Sequence, residues 1–281
     1  MNRSVKFSVL ALIASLWNSL PAAADGNVLC LQGCPTGALA SNRVIDRPIY
    51  ILSNNGKTKF ADWVAYRVTK ETIGRTQTRQ WRADPDLPKN ETLAPSDYND
   101  IRAALNADRG HQAPLASLTG SPEWRTSNYL SNITPQSTAL NQGPWKKLED
   151  AERELAKQAN VSAVYSITGP LYEHPMQKLP HAHLAHEVPS GYWKIVAIER
   201  QGSVVAAAFI LHQETKRQSS FCNFSVTVGE VSKRTHLVFF PRLSQNKRKT
   251  LETQASQLMR ELGCQVETEE PHGTQFRNQN P

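Results

Sequence analysis

Hydrophobic and polar positions alternate with a period of two in several stretches of this chain, and each predicts a strand. "YILSNNGKTKFADWVAYRV" (50–68) holds two β-rich runs around Asn55-Gly56, and an Asn-Gly pair between such runs predicts a hairpin. "VSAVYSITGPLY" (161–172) predicts another strand. "YWKIVAIERQGSVVAAAFILH" (192–212) predicts two more, joined through Arg200-Gln201-Gly202-Ser203, and "FSVTVGEV" (224–231) a last one. The period changes in "PWKKLEDAERELAKQA" (144–159). There Leu148 and Leu155 recur seven apart among Glu, Lys and Arg, the pattern of a helix with one buried face. "KRKTLETQASQLMREL" (247–262) predicts a closing helix, and the Pro, Asp and Asn of "RADPDLPKNETLAPSDYND" (82–100) predict a long loop. Strands joined mostly by hairpins predict one α+β domain, with an antiparallel sheet core and flanking helices.

The two ends break this pattern. "MNRSVKF" is basic, "SVLALIASLW" is largely apolar, and "PAAADG" offers Ala22-Ala23-Ala24 as an A-x-A cleavage site. Together they predict a secretory signal over 1–24, too short for a permanent anchor, and a secreted or periplasmic product with no membrane association after cleavage. The mature domain is expected over 25–264, and the polar, patternless tail 265–281 is expected to be disordered. Four cysteines in an oxidising compartment favour disulfides, Cys30 with Cys34 within "CLQGC" and Cys222 with Cys264. Free thiols or a metal held by all four are the alternatives. The formal charge of +7 becomes +5 once Arg3 and Lys6 leave with the signal. That balance favours polyanionic partners, although the basic clusters "SKRTH" and "QNKRKT" are read as solvated faces.

Candidate chemistry gathers in the middle of the chain. "DRGHQAPLA" (108–116) sets Asp108 and Arg109 beside His111, and a neighbouring cation should hold the imidazole neutral. Asn132, Asn141, Glu149 and Arg153 follow, into and along the predicted helix. On a straight helix Asn141 and Glu149 would lie about 80° apart and about 12 Å along the axis. That separation suits one direct metal ligand and one acting through a water, which fits magnesium better than zinc. "HAHLAH" (His181, His183, His186) has a metal-like look but no supporting acid except Glu187, and is read as surface histidines.

"DRGHQAPLAS", "NYLSNITPQ", "LNQGPWKKLED" and "TRQW" together resemble the DNA/RNA non-specific endonucleases of the Serratia nuclease type, relatives of mitochondrial endonuclease G. The similarity covers roughly residues 27 to 264. It implies a ββα-metal (His-Me finger) site with His111 as general base. It further implies Asn141 as the direct protein ligand of one Mg2+, with Mn2+ as a substitute, and Glu149 as a ligand through water. Arg79 and Arg153 match phosphate-gripping arginines, and Asp108, Arg109 and Asn132 match residues lining the site. The implied activity is sugar-non-specific hydrolysis of DNA and RNA to 5′-phosphate ends, in a protein whose relatives are often homodimers. The rival readings are a non-catalytic nucleic-acid-binding protein on the same scaffold and a metal carrier built on "HAHLAH".

Overall fold

The computed structural model describes residues 27–75, 77–253 and 258–265, so the expected signal and nearly all of the tail lie outside the described residues. Its centre is a seven-stranded antiparallel sheet in the order β1-β2-β3-β6-β7-β8-β9. The strands are β1 (Arg43–Asp46), β2 (Tyr50–Asn55), β3 (Phe60–Val68), β6 (Val164–Leu171), β7 (Gly191–Arg200), β8 (Ser203–His212) and β9 (Ser225–Val226). The Asn-Gly hairpin forms as the pattern predicts. The β7–β8 turn places Gln201 (φ 50°) and Gly202 (φ 72°) in the left-handed region, the geometry that matches strand twist in a two-residue hairpin.

A separate hairpin, β4 (Ala107–His111) with β5 (Ile133–Ser137), stands beside this sheet. Tyr192 Oη donates to Pro135 O at 2.6 Å and Tyr98 Oη to Ile133 O at 3.0 Å, which fastens the hairpin to the core. The helices are α1 (Ile101–Leu105), α2 (Leu115–Leu118), α3 (Thr138–Leu140), α4 (Lys146–Ala156), α5 (Val228–Thr235), α6 (Gln245–Thr253) and α7 (Leu258–Glu261). The hairpin β4–β5 followed by α4 is the expected ββα unit.

Each sheet face has its own core. Val64, Tyr66, Tyr192, Val196 and Phe209 meet Leu148 and Leu155 of α4 on the front. Trp63, Trp193, Ile195 and Ile210 meet Val228 and Val231 of α5 on the back. The period-two alternation along β7 produces this split, since successive side chains leave opposite faces.

One expectation needs correction. "FSVTVGEV" is a strand only at Ser225–Val226. Thr227 then caps α5, its hydroxyl accepting from Glu230 N at 3.0 Å, so "TVGE" is a helix start rather than a strand. The closing helix is described as α6 and α7, with residues 254–257 between them outside the described residues. Both expected disulfides are present, and Cys222 joins Cys264 from a 3-10 turn (Phe221–Phe224).

Candidate active site

Strand alternation decides what β4 presents. Arg109 and His111 share one face, Asp108 and Gly110 the other. Gly110 is required because the Gln136 side chain crosses it. A Cβ there would stand 2.6 Å from Gln136 Oε1 and 2.7 Å from its Cβ.

His111 Nε2 lies 3.2 Å from Asn128 Oδ1, and its ring packs 5.3 Å from the Trp81 ring. With the Asn128 amide so oriented, Nε2 carries the ring proton and Nδ1 keeps a lone pair. Burial pushes the imidazole down to about 4; the Asn128 hydrogen bond opposes this and the Arg79 charge adds to it. Arg109 is not the cause, which corrects the expectation from its neighbouring position. Its guanidinium sits 5.6 Å from both the Trp81 and Tyr98 rings and donates to Pro95 O at 3.1 Å.

Asn132 is fully buried behind the site and does not line it. Its Oδ1 accepts from Ala113 N at 2.8 Å, and its Nδ2 donates to Ala113 O at 3.0 Å and Ser127 O at 2.9 Å. These bonds staple the chain just past His111 to the segment that carries Asn128.

Asp108 accepts from Asn141 Nδ2 at 3.0 Å and from Gln142 Nε2 at 2.9 Å, and it pairs with Arg102 at 3.2 Å. Fixing the Asn141 amide nitrogen leaves its carbonyl oxygen for another partner. Asn141 does not stand on a straight continuation of α4. Gly143 has non-helical angles (φ −108°, ψ −116°) in the turn Asn141–Trp145, so the projection of 80° and 12 Å fails. The interruption nonetheless leaves Asn141 and Glu149 on the same cleft.

Glu149, in the first turn of α4, is 15% exposed and 4.0 Å from the buried Lys194 ammonium. Burial raises its carboxyl to about 7, opposed by the Lys194 and Arg153 charges and reinforced by Glu152 and Asp150. Arg153 bonds Ser117 Oγ at 3.1 Å and pairs with Asp150. Arg79 is exposed at the rim. Its loop is held by Arg82 N donating to Asn128 O at 3.3 Å and by Asp84, which both Arg47 and Ser131 engage.

Arg79, Asp108, Arg109, His111, Asn141, Glu149 and Arg153 thus line one cleft of about 540 Å3. Sequence reasoning missed three participants. Asn128 opens the quoted "NYLSNITPQ" and Trp81 ends "TRQW", while Lys194 is the lone charge in the apolar run "YWKIVAI". The "HAHLAH" histidines go elsewhere. His186 is buried with Nε2 accepting from Leu179 N at 3.0 Å, and His181 bonds Asp100 at 2.9 Å.

A histidine on a β-hairpin facing an amide and a carboxylate at the start of the next helix defines a ββα-type cleft suited to hydrolytic chemistry on an anion. Comparison with known proteins then gives the family. The sequence profile of the DNA/RNA non-specific endonucleases matches residues 27–246, and the chain belongs to that family. It is 50% identical over 236 residues to the "Nuclease" of Serratia marcescens, covering 84% of this chain and 88% of that protein. It is 23% identical to the mitochondrial endonuclease G of Bos taurus, covering 80% and 81%. The fold is similar to a chain in the crystal structure of an EndoG/EndoGI complex, with a TM-score of 0.62 at 22% identity over 73% of this chain and 88% of that one.

Proposed function

We propose that this chain is an exported endonuclease that hydrolyses phosphodiester bonds of DNA and RNA, with little sequence preference, to 5′-phosphate ends. Its organisation would be a signal over 1–24 and a single nuclease domain over 25–264. The observation that carries this reading is the convergence on one cleft of His111, on β4, with Asn141 and Glu149, which follow some thirty or more residues later on the turn before α4 and on its first turn. Kinship with the Serratia marcescens nuclease across most of the chain supports it.

The donor set fits a magnesium ion. The Asn141 amide nitrogen is engaged by Asp108, and among the described residues its carbonyl oxygen has no hydrogen-bond partner, while the Glu149 carboxylate lines the cleft 4.0 Å from the Lys194 ammonium. Few protein oxygens and room for water suit a cation that keeps most of its hydration. Asn141 would hold it directly and Glu149 through a water, with Mn2+ as a substitute. When bound, the ion supplies a Lewis acid for the phosphate oxygens and the departing 3′-oxygen. A nearby cation would also return Glu149 to its ionised form.

The chain's own groups do the rest. His111, neutral because it is buried, takes a proton at Nδ1 from the attacking water, and Asn128 keeps the other nitrogen protonated. Arg79 at the rim and Arg153 in the wall stabilise the charge that develops on the phosphate. Arg109, held near the Trp81 and Tyr98 rings, adds positive charge to the cleft for the phosphate. Asp108 acts through Asn141 by aiming its carbonyl, and Asn132 acts through the backbone that carries His111.

Plasmid nicking by the purified protein, with and without Mg2+, tests the reading beside His111→Ala. We expect metal-dependent nicking that the variant loses. A wild type that binds DNA without cutting would instead establish the non-catalytic nucleic-acid-binding protein.

A further inference from the structure

Among the cations around the cleft, most are already paired. Arg102 bonds Asp108, Lys146 bonds Asp150 at 2.6 Å, and Arg153 bonds the same Asp150. The loop after β8 differs. Lys216 and Arg217 are both exposed, and among the described residues neither has a carboxylate partner.

This loop is also held against the Asn141–Trp145 turn. Ser137 N donates to Gln213 Oε1 at 2.7 Å and Ser137 Oγ to Gln213 O at 2.5 Å, so the loop starts fastened to the end of β5. Thr215 is buried, and Ser219 N closes a turn onto Lys216 O at 3.0 Å. Its far end enters the 3-10 turn that Cys222 ties to Cys264. Between these anchors the Arg217 backbone occupies the place of a side chain on Gly143. A Cβ there would meet Arg217 O at 2.5 Å and Arg217 Cα at 2.8 Å. Gly143 follows Gln142, a cleft-lining residue, and lies two positions past Asn141. Two unpaired cations are therefore carried on a fixed turn directly beside the residue that would hold the metal.

We propose that the Lys216–Arg217 turn is a phosphate-binding shelf that grips the nucleic-acid backbone beyond the scissile bond, on the Gly143 side of the cleft. Its ligand is a phosphodiester strand of either sugar type. The turn "ETKRQSS" carries no aromatic ring on which a base could stack, so what it offers is charge. A turn whose backbone is already held in place loses little freedom on binding.

The inference rests on the nuclease reading and is tested by binding as well as turnover. On a His111→Ala background, affinity for a duplex of about 30 base pairs is measured against salt concentration for Lys216→Gln/Arg217→Gln. Each lost phosphate contact removes about 0.9 from the slope of log affinity against log salt, so a fall of about 1.8 is expected, with binding weakened on the order of tenfold at moderate salt. With His111 intact, KM for the duplex should rise and kcat stay unchanged. Hydrolysis of bis-p-nitrophenyl phosphate, a single phosphodiester too short to reach the shelf, should also be unchanged. Arg217→Lys, which keeps the charge, should keep the slope. An unaltered slope in the double variant, or an equal loss on the short substrate, overturns the shelf. A wild type that cuts nothing overturns the nuclease reading alone, and the salt slope still decides the shelf.

Discussion

The two faces of the central sheet carry opposite chemistry on the same strands. On the back, Trp193, Ile195 and Ala197 of β7 pack into an apolar layer under α5. On the front, Tyr192, Val196 and Ile198 do the same under α4, but Lys194 interrupts them. Its ammonium is fully buried, 2.7 Å from Tyr66 Oη, 3.3 Å from Glu152, and 4.9 Å from the Trp145 ring. Glu152 accepts in turn from Ser166 Oγ at 2.9 Å. A buried ion pair rarely adds stability over well-packed apolar side chains. The back face is built to hold the sheet together. The front face gives up some of that stability to place a charged floor beneath Glu149.

The comparison can be broken by variants that exchange the roles of the faces. The largest effect belongs to the cleft. His111→Ala should lower plasmid-cleavage turnover by about 10²–10⁴-fold while shifting the thermal midpoint little. On the back face Ile195→Ala should do the reverse, costing about 2–5 kcal/mol in urea unfolding with kcat unchanged in the folded fraction. Equal losses of turnover from both would remove the division of labour.

Next in size is the charged floor itself. Lys194→Met leaves Glu149 and Glu152 without their shared cation and should cost about 3–5 kcal/mol. Lys194→Met/Glu152→Gln neutralises the pair and should recover most of that loss in the same urea titration. A double variant as unstable as the single one would show that shape, not charge, decides the front face.

The two crosslinks differ from one another by loop length. Replacing Cys222 and Cys264 with serine opens a loop with a sequence separation of 42, and the chain-entropy estimate for that is about 4 kcal/mol. The same change at Cys30 and Cys34, separated by 4, should cost about 2 kcal/mol. Calorimetry of the two serine variants gives the ranking directly.

The last expected effect is on pH dependence. The His111 imidazole is pushed down to about 4 in the folded chain, whereas an unfolded histidine takes up its proton near 6.5. Between those values the unfolded state binds the extra proton, so acidification through this window destabilises the fold, and the loss stops below about 4. His111→Ala should therefore lose less stability than wild type between about pH 6.5 and 4, as measured by urea midpoints. A titration of His111 by NMR with its midpoint at the ordinary histidine value would show that the ring is not held in the environment described.

Much of this was legible in residues close together in sequence. The β2–β3 and β7–β8 hairpins follow from alternation and from the turn residues Asn55-Gly56 and Gln201-Gly202, all local signals. Helix α4 follows from Leu148 and Leu155. "TVGE" was misread because the apolar alternation of Phe224, Val226 and Val228 ran straight into a capping signature at Thr227 and Glu230. Among the site residues, identity was legible while role was not. Nothing within "DRGH" shows that Arg109 turns to Trp81 and Tyr98, or that Arg79, some thirty residues upstream, adds its charge to the burial that lowers the histidine.

What the sequence determined by itself was therefore the set of parts: alternating strands, an amphipathic helix, paired cysteines, and a histidine, amide and carboxylate at spacings that resemble one nuclease family. Those features are written in neighbouring residues and need no long-range contact to be read. The tertiary structure decided how the parts act on one another. It put Lys194 beneath Glu149, Asn128 against His111, Asn132 behind the site, and the Arg217 backbone against Gly143. These contacts join segments from 17 to 74 residues apart in the chain, and only the closing of the sheet and its hairpin brings them within reach. Burial and charge neighbourhood, which set the protonation of His111 and Glu149, come into being with that closure.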